Sequence, residues 1–253
     1  MQIKEILKKY IKRKIPLTSR YYNLDLNQNY HIFKAEKKSY FKKNLSELSF
    51  NELCILFKTD KAILYEDIIY DFKSKKYVRS LITGHGYSQY YSKINKNNIK
   101  NIIEIGSYEG ASGLVFSSYF QKAKIYCLDI TFKNNKLKYK NLKKIIIDQL
   151  KKKELEKFIH HNKLKNKIDL VSDDAAHLNQ HIINSFEVLF PNLRVGGYYF
   201  IEDITIKRNK KIYDLFKSHK YKNIADIKFY KSKLNQSTQS NTPQNFLIVI
   251  RKK

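Results

Sequence analysis

The segment NIIEIGSYEGASG (residues 101–113) constrains the fold of this chain more than any other part of it. An apolar run ends at Gly106, and a second glycine, Gly110, follows four residues later. About twenty residues further on, a second apolar run, Ile125–Leu128, ends at Asp129. This order predicts a strand, a glycine turn, a helix and a strand that ends in a carboxylate. Such a layout binds a nucleoside at the carboxyl ends of parallel strands.

The glycine spacing indicates which nucleoside is bound. The pattern from Glu104 to Gly110 is E-x-G-x-x-x-G, not the G-x-G-x-x-G of dinucleotide-binding enzymes, so it favours S-adenosylmethionine over NAD. We expect Gly106 to let the backbone approach the methionine part of the cofactor, where a Cβ atom would collide. We expect Asp129 to accept hydrogen bonds from both ribose hydroxyls. A buried glycine turn in an ordinary α/β protein is the alternative interpretation.

From Ile102 onward, apolar strand patterns alternate with helical patterns. The chain is therefore predicted to be an α/β protein with a doubly wound, mostly parallel seven-stranded sheet. The polar segment 231–245 has no helical pattern, so the last two strands should form a C-terminal antiparallel hairpin, as in class I methyltransferases. The predicted strands are Ile102–Ile105, Ile125–Leu128, Ile145–Ile147, Ile168–Val171, Tyr198–Ile201, Asn223–Phe229 and Phe246–Ile250. The predicted helices are Ala111–Phe120, Lys151–His161, Leu178–Leu189 and Lys207–Ser218.

The first 98 residues lack this alternation and predict a helical extension or lid, followed by a cofactor-binding domain over residues 99–253. Residues 3–15 carry apolar side chains at helical spacing among lysines, which predicts a basic amphipathic helix. Such a helix either packs on its own domain or lies on the inner face of an anionic membrane. No apolar run reaches the ~20 residues that span a bilayer, and no secretory signal is visible. With two distant cysteines and no disulfide framework, we expect a cytoplasmic protein.

The net charge of +27 invites a nucleic-acid partner. However, only six of the 50 basic residues are arginine, the side chain that best reads phosphates and bases in a bidentate manner. The chain is also rich in Asn, Ile and Tyr, so the lysines equally fit the codon bias of an AT-rich genome. No aromatic-basic recognition motif is present. We therefore expect nucleic acid to be an unlikely partner, with a nucleic-acid methyltransferase kept as an alternative.

Acidic residues follow two neighbouring strands of the predicted sheet. They are Asp173 and Asp174, with His177 shortly after, behind one strand, and Glu202 and Asp203 behind the next. Adjacent strands lie ~4.8 Å apart, so these carboxylates should meet beside the cofactor crevice. Their mutual repulsion would be offset by a hard divalent cation, and an all-oxygen ligand set favours Mg²⁺ or a similar ion over zinc. Helix capping by an aspartate and a solvated loop at Glu202–Asp203 are the alternatives.

His177 lies three residues beyond Asp174, where it can face the same pocket. A histidine has a suitable pKa to take a proton from a substrate hydroxyl, and a bound cation would acidify the same hydroxyl. The resulting oxygen nucleophile would be held in line with a methyl group on sulfur. The pattern thus predicts a metal-assisted methyl transfer to oxygen.

Five segments resemble one known family: NIIEIGSYEGASG, IYCLDI, IIIDQ, DDAAH and SFEVLFPNLRVGGYYFIEDI. Over about residues 99–205 the chain is similar to the macrocin O-methyltransferase group, whose members methylate sugar hydroxyls of macrolides. FKTDK (57–61) and HGYSQYY (85–91) resemble the upstream elements G-T-D-K and H-x-Y-x-x-x-Y of that group.

The resemblance implies a role for each site residue. Asp174, Glu202 and Asp203 would hold Mg²⁺, His177 would be the general base, and Asp129 would hold the ribose. Asp148 and Gln149 would lie near the adenine. The complete predicted cofactor-binding set is Glu104, Gly106, Ser107, Gly110, Asp129, Asp148, Gln149 and Asp173. The acceptor would be a sugar hydroxyl on a surface-glycan precursor, a nucleotide sugar or a glycosylated metabolite, and the protein would form a homo-oligomer.

The chain departs from the family pattern in three places. Ala175–Ala176 replace a Gly-Ser pair, Lys58 replaces a glycine, and about twenty residues (62–84) separate the two upstream elements. The insertion puts the acceptor pocket in doubt and leaves the cofactor and metal assignments intact. A non-catalytic or hydroxylase-like relative is a further alternative, although such a protein would have no use for the carboxylates that follow the two strands.

Overall fold

The computed structural model describes residues 43–71, 75–132, 140–218, 221–232 and 245–253. Two predicted features lie outside this part of the chain, namely the basic helix over 3–15 and all but the ends of the polar loop over 231–245. The chain divides into two compact units, the first comprising residues 1–94 and 233–241 and the second the remainder. No helix among the described residues is long and apolar enough to cross a membrane.

The first unit is built around one well-capped helix, α1 (Phe50–Phe57). Ser49 accepts a hydrogen bond from Glu52 N while the Glu52 side chain accepts one from Ser49 N, which satisfies two of the open donors at the helix start. The apolar face of the helix is fully buried, and Phe50 stacks on Tyr91 with ring centroids 5.2 Å apart. Tyr91 belongs to a short helix, α2 (Ser88–Tyr91).

The insertion over residues 62–84 forms a β-hairpin, which the sequence did not predict. Its strands are β1 (Leu64–Asp71) and β2 (Lys76–Thr83), and they pair antiparallel with Leu64 opposite Thr83. The two ends of a hairpin lie next to each other, so the chain leaves the insertion close to the point where it entered it. The residues on either side of it therefore stay neighbours despite their separation in sequence.

The second unit contains a seven-stranded sheet in the order β5-β4-β3-β6-β7-β9-β8. The strands are β3 (Asn101–Ile105), β4 (Lys124–Asp129), β5 (Leu142–Ile146), β6 (Ile168–Asp173), β7 (Leu193–Thr205), β8 (Ile224–Lys231) and β9 (Asn245–Lys252). The first five in spatial order are parallel, and β9 pairs antiparallel with both β7 and β8. The predicted fold class is confirmed.

Four helices connect the strands: α3 (Ala111–Tyr119), α4 (Lys152–His161), α5 (Asn179–Leu189) and α6 (Ile206–Lys217). Each lies within one residue of its predicted bounds at either end. The strands differ more. β7 begins five residues earlier and ends four residues later than predicted, and β5 begins three residues earlier and includes Lys143 and Lys144. As an edge strand β5 is only partly buried, so it accommodates these lysines.

Asp169 fastens the amino-terminal end of the sheet. Its buried carboxylate accepts hydrogen bonds from Lys100 N at 2.9 Å and Asn101 N at 2.8 Å, and it forms an ion pair with Arg194. One side chain on β6 thereby joins the starts of β3 and β7. The predicted site residues follow the opposite ends of the strands.

Candidate active site

The carboxyl ends of the parallel strands meet at one edge of the sheet. In the register, Ile105 of β3 lies beside Leu128 of β4 and beside Asp173 of β6, and Asp173 in turn lies beside Ile201 of β7. The turn that leaves β3 and the segments that follow β4, β6 and β7 are therefore neighbours. This is the edge at which open α/β sheets bind their ligands.

The turn after β3 is fixed against the segment that follows β6. Gly106 has a φ of +80°, and a Cβ atom there would lie 2.3 Å from Asp174 O and 2.4 Å from Ala175 Cα. The backbone of Gly106 and Ser107 also donates to Leu128 O, at 2.9 and 3.3 Å. The structure thus gives a reason of its own for glycine at this position, because a Cβ atom would collide with the neighbouring chain segment. The predicted approach of the cofactor to Gly106 stays a prediction.

Glu104 and Ser107 support this turn from below. Glu104 is buried on β3, and its Oε2 accepts a hydrogen bond of 2.6 Å from the Ser107 hydroxyl. Gly110, with a φ of +87°, occupies the N-cap position of α3. These residues shape the turn, and their direct contact with a cofactor stays a prediction.

Asp129 stands at the tip of β4 with its carboxylate already oriented. Its Oδ2 accepts a hydrogen bond from Tyr108 N at 2.7 Å, and its Oδ1 accepts one from Thr131 N at 3.2 Å. The side chain is partly exposed, so lone pairs on both oxygens stay available to a ligand. The next residue, Ile130, is 66% exposed and borders an open groove of about 950 Å³ that also includes Asp148 and Phe158.

One of the two predicted adenine residues, Gln149, belongs to a buried hydrogen-bond network, whereas Asp148 is partly exposed. Gln149 donates to Asp173 Oδ1 at 2.9 Å and to Ser185 Oγ at 3.0 Å. Ser185 and Tyr199 both donate to Asp173 Oδ2. Within the described part of the chain, Gln149 Oε1 is buried without a hydrogen-bond partner, so it is an acceptor that the protein itself leaves unused. Asp173 lies inside this network, and its predicted contact with the cofactor also stays a prediction.

The residues that follow β6 and β7 form a compact cluster of potential metal ligands. One ligand atom each from Asp174, His177 and Asp203 lies within 4.8 Å of the other two, and all three side chains are partly exposed. His177 Nε2 is 3.8 Å from Asp174 Oδ1. The adjacent carboxyl ends of β6 and β7 therefore bring together two of the three predicted carboxylate ligands and the predicted base.

Glu202, the third predicted carboxylate ligand, is not a member of this group of three. Its side chain is 1% exposed, and its Oε1 accepts a hydrogen bond of 2.8 Å from Ser172 Oγ on β6. It lies next to Asp203 in the chain and contributes negative charge to the His177 environment. Its role as a metal ligand stays a prediction.

An irregularity in β7 accompanies this separation of Glu202 from Asp203. The register between β7 and β9 shifts between Ile201 and Ile204, and Asp203 has a φ of +53°. His177 has a φ of +52°. Bulges of this kind redirect side chains next to functional sites, and left-handed non-glycine residues concentrate there too. Neither backbone feature is predictable from the local sequence.

Burial lowers the pKa of His177 below its ordinary value, and the positive charge of Arg208 acts in the same direction. The negative charges of Asp203 and Glu202 oppose this effect. The net result is an imidazole that is neutral at pH 7 and can therefore accept a proton.

The two upstream sequence elements meet in the first unit. His85 N donates to Asp60 O at 2.6 Å, and Ser88 N donates to Lys61 O at 2.8 Å. The hairpin makes this possible because its ends adjoin. Lys58, which replaces the family's glycine, has a φ of +56° at the C-cap of α1, a conformation that glycine adopts more readily.

Sequence reasoning missed several polar residues that support the site. They are Ser172, Ser185, Tyr199, Arg208 and Asn209. Only Asn209 carried a usable signal: it shares a helical face with the apolar residues Ile212 and Phe216, and a lone amide on an apolar face suggests a buried hydrogen-bonding role.

Residues 103–204 match the family model of the methyltransferase domain. Mycinamicin VI 2''-O-methyltransferase of Micromonospora griseorubida is 32% identical over 116 residues, which cover 43% of this chain and 28% of that enzyme. Demethylmacrocin O-methyltransferase of Streptomyces fradiae is 29% identical over 124 residues, which cover 47% and 30% of the two chains. The matched segment spans less than a third of the length of these curated relatives. The predicted resemblance to the macrocin O-methyltransferase group is confirmed.

A similar fold occurs in a MycE methyltransferase from the mycinamycin biosynthetic pathway, solved in complex with Mg and SAH. Its TM-score is 0.57 at 19% identity, and the alignment covers 98% of this chain and 70% of that one. At this identity the likeness shows the fold, which agrees with the parallel sheet and the antiparallel strands at its end.

Proposed function

We propose that this chain, whose residues 103–204 form a methyltransferase domain, transfers the methyl group of S-adenosylmethionine to a sugar hydroxyl with the help of a divalent cation. The observation that carries the proposal is the cluster of Asp174, His177 and Asp203, whose ligand atoms lie within 4.8 Å of one another. It adjoins the turn at Gly106, which contacts the backbone of Asp174. A metal-binding cluster and a nucleoside-binding turn side by side suit a metal-assisted methyl transfer.

The residues around Asp129 fit S-adenosylmethionine. Asp129 is held by two backbone N–H groups with lone pairs to spare, as a ribose-binding carboxylate requires. The exposed Ile130 and the groove beside Asp148 offer an apolar surface on which a nucleobase can lie. Gln149 Oε1 is a buried acceptor that lacks a partner among the described residues, and an adenine amino group would satisfy it.

The residues of the cluster fit a hard divalent cation such as Mg²⁺. Asp174 and Asp203 supply carboxylate oxygens, the ligands that Mg²⁺ prefers, and Glu202 would complete a set of three. Without a counter-charge these carboxylates repel one another, so a cation at this point is favourable. When bound, Mg²⁺ would lower the pKa of a coordinated hydroxyl.

We propose that His177 takes the proton from that hydroxyl. Its lowered pKa keeps it neutral at pH 7, and its position beside Asp174 puts it within reach of a group at the cluster. Asp203 then stabilises the imidazolium that forms, since its charge favours the protonated ring. The two residues thus divide the work: one accepts the proton and the other offsets the resulting charge.

The acceptor we propose is a sugar in a surface-glycan precursor, a nucleotide sugar or a glycosylated metabolite. The resemblance to the macrocin O-methyltransferase group implies methylation of a sugar. The curated relatives are named as O-methyltransferases. We further propose that the enzyme acts in the cytoplasm, where such precursors are made.

Calorimetric titration of S-adenosylhomocysteine, with and without Mg²⁺, tests this function on wild type, Asp129→Ala and the matched control Asp226→Ala. Asp226 is an aspartate on β8, at the far edge of the sheet, paired with Lys228. We expect Asp129→Ala to weaken binding by about 30-fold, because a hydrogen bond to a charged group contributes about 2 kcal/mol. The control should bind like wild type. Absence of binding to wild type, or equal binding by Asp129→Ala, would contradict the cofactor assignment.

A further inference from the structure

Two members of the metal-binding cluster have an unfavourable backbone. His177 and Asp203 both have φ near +50°, and neither is a glycine. A left-handed conformation is unfavourable for such residues, so it persists only where the surroundings enforce it. Two neighbouring residues at the start of α6 hold these backbones: Arg208 donates a hydrogen bond to Asp203 O, and Asn209 donates one to His177 O.

Asn209 uses its entire hydrogen-bonding capacity to join the segment after β6 to the start of α6. Its Nδ2 donates to His177 O at 2.8 Å and to Asn179 Oδ1 at 3.1 Å. Its Oδ1 accepts from Thr205 N at 3.1 Å and from Arg208 Nε at 3.2 Å. An amide side chain has two N–H donors and two oxygen lone pairs, so none is left over. The side chain is completely buried.

Arg208 completes the arrangement on the other side. Its Nη2 donates to Asp203 O at 2.9 Å while its Nε is held by Asn209 Oδ1. The carbonyl groups of both left-handed residues are thus hydrogen-bonded to two adjacent side chains, which are also bonded to each other. The planar guanidinium makes this possible because it directs two donors from one rigid group.

Capping of the helix does not explain Asn209. Thr205 is already the N-cap of α6, since its hydroxyl accepts from Arg208 N at 3.3 Å. Asn209 instead departs from helical geometry, with φ of −116° and ψ of 29° inside the helix. The helix therefore gives up regular backbone at the point where Asn209 reaches His177.

We propose that Arg208 and Asn209 are positioning residues for the metal centre. They hold the backbones of His177 and Asp203 so that Asp203 can share one cation with Asp174 and His177 stays beside these two ligands as the base. This proposal rests on the proposed function, because it assumes that the cluster binds a divalent cation. It adds that the site depends on two residues that lie outside the ligand set.

The test measures the affinity of the full chain for Mn²⁺, by electron paramagnetic resonance at a temperature well below the unfolding transition. The variants are Asn209→Ala and the matched control Asn184→Ala. Asn184 is also a buried amide with both ends hydrogen-bonded, to Leu150 O and to Gln180. We expect Asn209→Ala to weaken Mn²⁺ binding by about 10–100-fold, the usual effect of losing a residue that orients metal ligands. Asn184→Ala should leave the affinity unchanged.

A second variant, Arg208→Lys, keeps the charge but loses the rigid pair of donors. We expect weaker Mn²⁺ binding here as well, which a purely electrostatic role of Arg208 would not produce. S-adenosylhomocysteine affinity is measured in parallel and should not change in the Asn209 and Arg208 variants, because the hydrogen bonds described for these two side chains reach no residue proposed to bind the cofactor.

The outcomes separate this proposal from the function on which it rests. If wild type binds Mn²⁺ and Asn209→Ala loses no more affinity than Asn184→Ala, the positioning role is wrong and the proposed function stands. If Arg208→Lys binds Mn²⁺ as wild type does, Arg208 has no positioning role. If wild type binds S-adenosylhomocysteine but no Mn²⁺, both the metal centre and its positioning residues are overturned.

Discussion

The carboxyl group of Asp173 is 2% exposed and receives hydrogen bonds from Gln149, Ser185 and Tyr199. Burial raises its pKa from 3.8 to about 6, and the hydrogen bonds only partly oppose that effect. The folded protein therefore keeps a proton that the unfolded chain releases at lower pH. A buried acid of this kind makes the stability of the protein depend on pH.

We expect Asp173→Asn to remove this dependence. The stabilising contribution of a raised pKa is fully present below the unfolded value of 3.8 and is lost as the pH rises through the folded value of about 6. Relative to Asp173→Asn, wild type should therefore lose about 2 kcal/mol of unfolding free energy between pH 4 and pH 7. Urea denaturation across this range, with EDTA present, measures the difference. A difference that does not vary with pH would show that Asp173 is not protonated in the folded protein.

The sequence predicted individual site residues where a strand end determines the position. Asp129, Asp174 and Asp203 follow apolar runs, and the topology of a parallel sheet puts such residues at one edge. Asp173 and Glu202 follow the same runs, yet their carboxylates accept hydrogen bonds from buried side chains. Those partners are distant in sequence, so spacing alone could not separate the buried carboxylates from the partly exposed ones.

At the scale of elements, the turn between β3 and α3 lies in close backbone contact with the segment after β6. Gly106 and Gly110 both have positive φ, but their surroundings differ. A Cβ atom at Gly106 would lie 2.3 Å from a backbone oxygen, whereas at Gly110 the nearest atom is Lys144 Cε at 3.4 Å. A backbone atom cannot move aside as the end of a lysine side chain can. A Cβ atom at Gly106 would therefore force the turn and the segment after β6 apart.

The two alanine substitutions should therefore differ in size. Gly110→Ala should cost about 1–2 kcal/mol for the left-handed conformation alone. Gly106→Ala adds a steric clash and should cost about 3 kcal/mol or more. It should also weaken Mn²⁺ binding, because the displaced segment carries Asp174. Urea denaturation and Mn²⁺ titration of both variants check this expectation. Equal effects of the two substitutions would show that the close backbone contact at Gly106 does not matter.

The predicted elements are correct where the hydrophobic pattern of the sequence determines the structure. They are wrong or missing where strand pairing determines it. The central parallel strands β3, β4 and β6 are buried on both faces, so their apolar runs are continuous and easily recognised. The hairpin of β1 and β2 escaped notice because Leu64–Asp71 and Lys76–Thr83 mix charged and apolar residues. The bulge in β7 depends on its pairing with β9, about forty residues later in the chain, which no local pattern reveals.

For the whole molecule, the net charge of +27 bears on the choice between a sugar and a nucleic acid as acceptor. A lysine-rich surface attracts any polyanion through counterion release, whether or not the protein acts on it. Binding to RNA that weakens steeply with salt would therefore be expected under both hypotheses. Only the destination of the methyl group can distinguish them.

We expect labelled methyl groups from S-adenosylmethionine to enter a mixture of nucleotide sugars and glycan precursors, and not total RNA. The cluster of Asp174, His177 and Asp203 suits a hydroxyl that must lose a proton, which argues against methylation of a base amine. The 2′-hydroxyls of RNA are the competing acceptors, and the RNA sample tests them directly. Asp203→Asn is the matched control, since it removes one ligand charge and leaves the lysine surface intact. Incorporation into sugars should disappear in this variant and with EDTA. Incorporation into RNA that Asp203→Asn abolishes would instead identify a nucleic-acid methyltransferase, and the lysine surface would then belong to the substrate site.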